Sequence, residues 1–564
     1  METWAELTAP GAPFAWSETE VRGMTMRTFD AAPPNMRLLW ESSAAHGDAT
    51  YLVYEDETYT FTEAHAIVRS LADVLYNQHG VRAGDRVAIA MRNFPEWVFS
   101  YWAISSLGAA AVGMNAWWTG QEMSFGLTDS EPTVLICDEE RLERVTPLLA
   151  ELRATRPLHV MSVRTQLDLP DDASRWEDVV DPANAPDSLP EADIQPDDDM
   201  CIFYTSGTTG FPKGAQLTHR GCIHNLLHMA FANTASAMAS AKLAPADSPP
   251  APEPGAPAIM VPTPLFHVTA NNCVLHPGTA LGAKIVLMRK WDPARALELI
   301  EREKVTIFTG VPTMSREMLL HADWETRDTS TLESMGGGGA ALQPDLVDKI
   351  DKADGSVKPQ TGYGLTETHG IITALSAAFF TAEPASAGPI MPTFEYKVID
   401  EDGNEVEAGG FGELVVKGPA VVKGYLNRPE ATAESMPEGW FRTGDIVTVD
   451  ANSFVFIVDR AKDMVIRGGE NIYCNEVETA IYEHPEVAEA AAFGVEDERL
   501  GEKVAIAIFR TPGATLDEAG LSAHLTDRIA KFKPPEVVFF VDEPLPQNAS
   551  GKFLKRQLRE TLAG

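Results

Sequence analysis

Between about Thr50 and Met314, short β-rich runs alternate with helical patterns, and no other feature restricts the fold as strongly. Arg86–Met91, Thr133–Cys137, Met200–Tyr204, Ala258–Val261, Lys284–Met288 and Val305–Phe308 read as strands, with a charged helix around Glu139–Arg153. Such alternation argues for an α/β fold of mostly parallel sheets covered by helices. The stretch Trp97 to Trp118 carries no charge and is long enough to span a bilayer. Its serines, glycines, asparagine and many alanines favour a helix wedged inside a large domain. In open parallel sheets ligands sit at the carboxyl ends of the strands, where Thr205 and the Pro264–His267 segment both fall.

At 564 residues the chain is too long for one core. After Pro389 the rhythm becomes β-only: Phe394–Asp400, Gly412–Lys417, Phe441–Val449 and Phe454–Val458 suggest a small antiparallel barrel or meander, about 390–458. From Asp463 the pattern is mixed, with helices at Glu476–Glu483 and Leu521–Ala530 and strands at Ala491–Phe493, Val504–Phe509 and Val537–Val541. The expected division is a large unit over 1–461 and a small α+β cap over 462–564. The Ala/Pro-rich segment 235–257 reads as a mobile surface loop.

The net charge of −37 argues against nonspecific binding to nucleic acid or anionic membrane. Any polyanionic ligand needs a local positive pocket against that background. Five scattered cysteines without a CxxC pair read as reduced thiols of a cytoplasmic protein, not metal ligands. The first residues show neither a basic nor an apolar leader pattern. A homodimer is compatible with the sequence but not specified by it.

The run Tyr204-Thr205-Ser206-Gly207-Thr208-Thr209-Gly210-Phe211-Pro212-Lys213-Gly214 follows directly on a strand. Its glycines let the backbone approach a ligand closely; its hydroxyls, N–H groups and Lys213 can converge on phosphate oxygens. It is not a Walker A loop, because Pro212 precedes Lys213 and Gly214 follows it. An ordinary Gly/Thr surface turn has the same composition, so the case depends on other stretches.

Four such stretches exist. Thr361–Thr368 sets Tyr363 among Gly362 and Gly364, then Thr366 and Glu367: a ring to stack on a purine and a carboxylate for a hard cation such as Mg²⁺. Gly336–Ala340 offers bare backbone for something flat. Asp445, after a strand, can accept from two ribose hydroxyls or merely cap a turn. Lys552 follows Ser550-Gly551 in a turn near the C-terminus, where a lone lysine is ordinarily solvated.

In this order and at these separations, from about Thr50 to Lys555, the stretches resemble the acyl-adenylate-forming (AMP-binding) superfamily, in particular its acyl-CoA synthetase branch. The resemblance implies that Thr205, Ser206, Gly207, Thr208, Thr209, Gly210 and Lys213 hold the ATP phosphates. Gly338, Gly339 and Ala340 would lie along the adenine, with Tyr363 and its glycine neighbours Gly362 and Gly364 against it. Thr366 would touch the α-phosphate, Glu367 would bind Mg²⁺, and Asp445 and Arg460 would hold the ribose. Lys462 would be a hinge that lets Lys552 reach the substrate carboxylate and the α-phosphate. His267 would border that carboxylate. Arg467, Gly468, Gly469, Glu470, Lys531 and Lys533 would meet coenzyme A.

The chemistry fits those roles. A carboxylate resists thiolate attack, whereas its mixed anhydride with AMP has a good leaving group. The substrate is itself the nucleophile, so no Ser–His–Asp or Cys–His set is required. Two anions must meet, so catalysis should be positioning and electrostatic stabilisation.

No carrier-protein segment follows Lys552 in this sequence, so free CoA is the expected thiol. Related adenylation domains for amino acids carry an Asp where Phe266-His267 stands here, which argues against an amino acid substrate. The acyl pocket is expected from His267, Val268, Asn271, Asn272, Thr309–Pro312 with Gly310 among them, Gly337–Ala340 and Thr368–Ile371. Mostly small or apolar, it suits a medium- or long-chain fatty acid and, as the alternative, an aryl or cinnamate-type acid. A catalytically silent binding protein of the same fold would be expected to lose Lys552, Glu367 or the phosphate loop, and all are present.

Overall fold

The computed structural model describes residues 1–205, 212–244, 255–353, 357–468, 470–526, 528–548 and 551–564. Among these, the alternating runs form two large sheets. The first is seven-stranded, in the order Lys213–Thr218, Asp199–Thr205, Ala110–Gly113, Arg86–Ala90, Val134–Asp138, His159–Val163, Ala173–Arg175. It is parallel except for its outermost strand, Lys213–Thr218, which runs back along Asp199–Thr205.

The second has eight strands. Lys358–Leu365, Ser334–Gly337, Ile307–Gly310, Ala258–Val261, Lys284–Leu287 and Thr50–Tyr54 are parallel, with Gly370–Ser376 and Glu57–Thr60 as antiparallel edges.

The uncharged stretch is not one helix. Pro95–Ser106 is helical and every residue in it is buried. The chain then turns at Gly108 (φ 71°) and enters the sheet as Ala110–Gly113. It lacks charge because both pieces are enclosed by protein, and among the described residues no helix is long and apolar enough to cross a membrane.

The segment after Ala235 also departs from expectation. The helix His219–Leu243 is capped by Thr218, whose hydroxyl accepts from the Gly221 N–H at 3.0 Å, and it runs on through the alanines. Alanine is the best helix former, which explains the continuation; the proline-rich 245–254 lies outside the described residues.

The β-only region forms an antiparallel five-stranded sheet, Gly388–Pro389, Phe454–Arg460, Phe441–Val449, Gly412–Lys417 and Glu395–Ile399. Beyond it lies a second five-stranded sheet, Val465–Arg467, Glu470–Ile472, Gly501–Arg510, Val487–Asp497 and Val537–Val541, with helices Cys474–Tyr482, Glu518–Leu525 and Lys555–Leu562. Its buried apolar clusters draw only on residues from Val465 onward, so the C-terminal unit has its own core. The fold is thus a large α/β N-terminal domain with a small α+β C-terminal domain.

Candidate active site

The strands of the second sheet end together. Gly310 and Gly337 lie in register at the carboxyl ends of two parallel neighbours, with Thr361 beside Gly337 on the third strand, which runs on to Leu365. Gly337 has φ 145°, and a Cβ there would sit 2.1 Å from the Gly310 carbonyl oxygen. Backbone must therefore approach backbone with nothing between, which only glycine permits. Gly337→Ala is expected to cost about 2 kcal/mol or more, read as a lower urea midpoint.

Beside these ends stands the turn Thr366–Thr368. Glu367 is only 9% exposed, and one of its oxygens accepts from the Tyr425 hydroxyl at 2.8 Å. The Tyr425 ring faces the Lys213 ammonium, 5.0 Å from the ring centre. Tyr425 thus links the base of the glycine–threonine loop to Glu367. Nothing in the sequence singled it out, because an isolated tyrosine in a turn carries no pattern. Strand pairing sets Thr205 opposite Lys213 and brings the two ends of the loop together; Ser206, Gly207, Thr208, Thr209 and Gly210 lie outside the described residues.

On the antiparallel sheet, Asp445 and Arg460 are cross-strand partners joined at 2.7 Å. The Tyr363 hydroxyl donates to the other Asp445 oxygen, also at 2.7 Å. Asp445 is 2% exposed, and burial pushes its carboxyl up against the pull of Arg460.

The C-terminal domain contributes Lys552. A turn holds it: the Lys552 N–H donates to the Asn548 side chain at 3.0 Å, and the Asn548 N–H donates to the Lys552 carbonyl at 2.8 Å. Gly551 packs so closely that an added Cβ would lie 2.5 Å from Val311, and the Lys552 side chain passes Gly339, 3.9 Å from where its Cβ would be.

Burial is the main influence on the Lys552 ammonium and lowers it to about 8. Arg460 and Lys462 push the same way, while Asp445 and Glu367 oppose them. In an acidic protein this corner gathers positive charge: Lys552, Arg460, Lys462.

His267 is half-buried, with its Nε2 inside the protein and without a hydrogen-bond partner among the described residues. Burial, with the Lys552 charge, lowers the ring to about 4, so it is neutral near pH 7.

The two domains meet through contacts the sequence did not signal. Gln343 donates to Asn475 at 3.2 Å and accepts from the Thr479 hydroxyl at 2.7 Å; Arg316 stacks over Tyr482 at 4.7 Å. Lys462 is exposed, in the turn between Phe454–Arg460 and Val465–Arg467.

A cavity of about 220 Å³ opens beside Gly337, Gly338 and Gly339. Val268 and Gly362 line it, with one face of the His219–Leu243 helix. Of the expected pocket residues, Val268, Thr309, Gly337, Gly338, Gly339, Gly370 and Ile371 line this cavity, and others do not. The Asn271 side chain points into the core, donating to Asn272 at 2.9 Å, and Asn272 in turn donates to the His369 carbonyl. Thr368 turns inward to the Leu365 and Gly370 carbonyls, at 3.1 and 3.0 Å. His267 and Gly310 also lie off the cavity lining. A polar side chain in an apolar run reads as pocket or core alike, and here hydrogen-bond demand sent it to the core.

Of the residues expected to meet CoA, Arg467 is paired with Glu536 at 2.5 Å and Lys533 with Glu476 at 2.6 Å. Gly468 and Glu470 sit in the hairpin after Arg467, Lys531 is exposed, and Gly469 lies outside the described residues.

This architecture, with a positively charged corner closed by a small C-terminal domain, is that of an adenylate-forming enzyme. Residues 39–426 match the AMP-binding enzyme family and residues 476–552 its C-terminal domain, and the chain belongs to that family. A feruloyl-CoA synthase from an Amycolatopsis species is 36% identical over 519 residues, 91% of this chain and 95% of the relative. A long-chain-fatty-acid–CoA ligase of Bacillus subtilis (strain 168) is 31% identical over 547 residues, 93% of each. The o-succinylbenzoate CoA synthetase of Bacillus subtilis, solved with its acyl-adenylate intermediate, is 29% identical with a TM-score of 0.74, covering 94% of this chain and 98% of that one. The chain is an AMP-forming acid–CoA ligase that uses ATP and CoA.

Proposed function

We propose that the acid is a medium- or long-chain fatty acid. The supporting observation is the cavity: among its described lining residues none is a lysine, arginine, histidine, aspartate or glutamate. Along the His219–Leu243 helix it is lined by Met229, Ala232, Asn233, Ala235, Ser236 and Ala239, four of the six carrying small side chains that leave room for an alkyl chain. An aryl acid is the second reading, favoured by the 36% identity to a feruloyl-CoA synthase. A panel of straight-chain and cinnamate-type acids, assayed with ATP and CoA for pyrophosphate and AMP release, decides. Orthophosphate release without AMP would remove the ligase reading altogether.

In the reaction a substrate carboxylate oxygen attacks the α-phosphorus of ATP and pyrophosphate leaves; the CoA thiol then attacks the acyl carbon and AMP leaves. Lys552 stabilises charge at the α-phosphate, Thr366 and the Thr205–Lys213 loop hold the phosphates, and Asp445 with Arg460 takes the ribose. Tyr363 and Gly338–Ala340 enclose the adenine. Mg²⁺ fits the donor set. Among the described residues no cluster of three or more ligands exists, and Mg²⁺ characteristically takes one or two carboxylates plus substrate phosphates. Glu367, with one oxygen held by Tyr425, offers the other; the ion would offset phosphate charge.

Lys462, at the boundary between 1–461 and 462–564, is the hinge. Rotation there withdraws Lys552 and brings up the Arg467–Glu470 hairpin with Lys531 and Lys533 for CoA. A cytoplasmic location suits these substrates.

Lys552 must be protonated to act, and its ammonium titrates near 8 in the free enzyme. The kcat/KM of adenylation should therefore fall as pH rises through about 8, because that ratio reports free-enzyme ionisations. A flat profile between pH 7 and 9.5 would exclude a required charge on Lys552.

A further inference from the structure

The acyl cavity does not end among residues of the matched family segment, which begins at residue 39. It also touches Met1, Thr3 and Trp4 of the N-terminal helix Glu2–Thr8. That helix lies against His219–Leu243, whose small side chains make the groove. The Trp4 ring packs edge-on against Phe231 with centroids 4.7 Å apart, and Phe231 is fully buried. Leu7 is 4% exposed and joins the apolar cluster around Phe14, Phe231 and Ala235, which fixes the helix independently of Trp4. At the surface Glu6 pairs with Lys242 at 2.6 Å.

We propose that the N-terminal helix is the floor of the acyl cavity and that Trp4 sets the longest chain the enzyme accepts. The inference rests on the aliphatic reading of the substrate and deepens it. An alkyl chain gains by every methylene it buries, so acceptance should climb with length until the terminal methyl meets the indole. Beyond that length the chain must displace Trp4 from Phe231 or leave the groove, and activity should drop. Trp4 touches no reacting atom. It is a specificity-determining residue acting at the far wall.

The test compares wild type, Trp4→Ala and Ala232→Phe on straight-chain acids from four to eighteen carbons, scoring kcat/KM by pyrophosphate release. For wild type we expect a rise of about fourfold per methylene, the equivalent of about 0.8 kcal/mol, followed by a sharp optimum. Trp4→Ala should move the optimum at least two carbons longer while leaving shorter acids and the KM for ATP within about twofold. Ala232→Phe, which puts a ring into the same groove, should move it shorter. Should Trp4→Ala lose the wild-type melting temperature, Trp4→Leu carries the same expectation. An unchanged optimum in a folded Trp4 variant overturns the floor assignment, and does so most plainly if Ala232→Phe still shortens the limit. If wild type activates only aryl acids, the aliphatic reading fails instead. The floor is then tested on para-alkyl benzoates of increasing length, where Trp4→Ala must again extend the limit or the assignment falls.

Discussion

Lys552→Ala should lower adenylate formation by about 10²–10³-fold, the loss that follows removal of one preorganised donor to a developing oxyanion. The side chain is half-buried where Arg460, Asp445 and Glu367 all act on its charge, so the donor is preorganised by the fold. The same variant should turn over a supplied acyl-adenylate with CoA at close to the wild-type rate, because the proposed rotation withdraws Lys552 for that half-reaction. The two halves are measured separately, as pyrophosphate released from acid and ATP, and as thioester formed from acyl-adenylate. Equal losses in both would mean that one domain orientation serves both steps, and the rotation about Lys462 would have to be abandoned.

Asp445→Ala should act on a different quantity. Two hydrogen-bonding partners, Tyr363 and Arg460, converge on this buried carboxylate at 2.7 Å each. A hydrogen bond to a charged group is worth about 1.5–3 kcal/mol, and 1.4 kcal/mol is tenfold in affinity. The KM for ATP should rise about 10–10²-fold, with kcat changed much less, since in the proposed role Asp445 holds the ribose equally in ground and transition states. Asp445→Asn, which keeps an acceptor, should recover part of the loss. A collapse of kcat at unchanged KM would place Asp445 at the transferring phosphate and not at the ribose.

Both segments stand out in the sequence because their residues sit in short local patterns. Thr361–Thr368 packs glycines, a ring, a hydroxyl and a carboxylate into eight positions, and Ser550-Gly551-Lys552 marks a turn. What local pattern could not show was the traffic between segments. Tyr425, in an unremarkable turn, bridges Lys213 and Glu367 through its ring and hydroxyl. Val311 meets Gly551, and Gln343 meets Asn475 and Thr479, across a boundary of more than a hundred residues of chain. Asn271 and Thr368 were read as pocket because they are polar among small residues; their hydrogen bonds take them to the core. The stretch 97–118 was read as one helix because absence of charge reports enclosure, not secondary structure. A helix and a central parallel strand are equally enclosed.

The residue order by itself determined the sheets of the large domain and the small C-terminal domain, because each follows from spacing over a few neighbours. Which way polar side chains face, which tyrosine steadies Glu367, and how the N-terminal helix comes to line the cavity beside Gly337 were decided only in three dimensions. Those outcomes depend on competition among distant groups for the same buried space and the same hydrogen bonds, and no window of sequence contains both competitors.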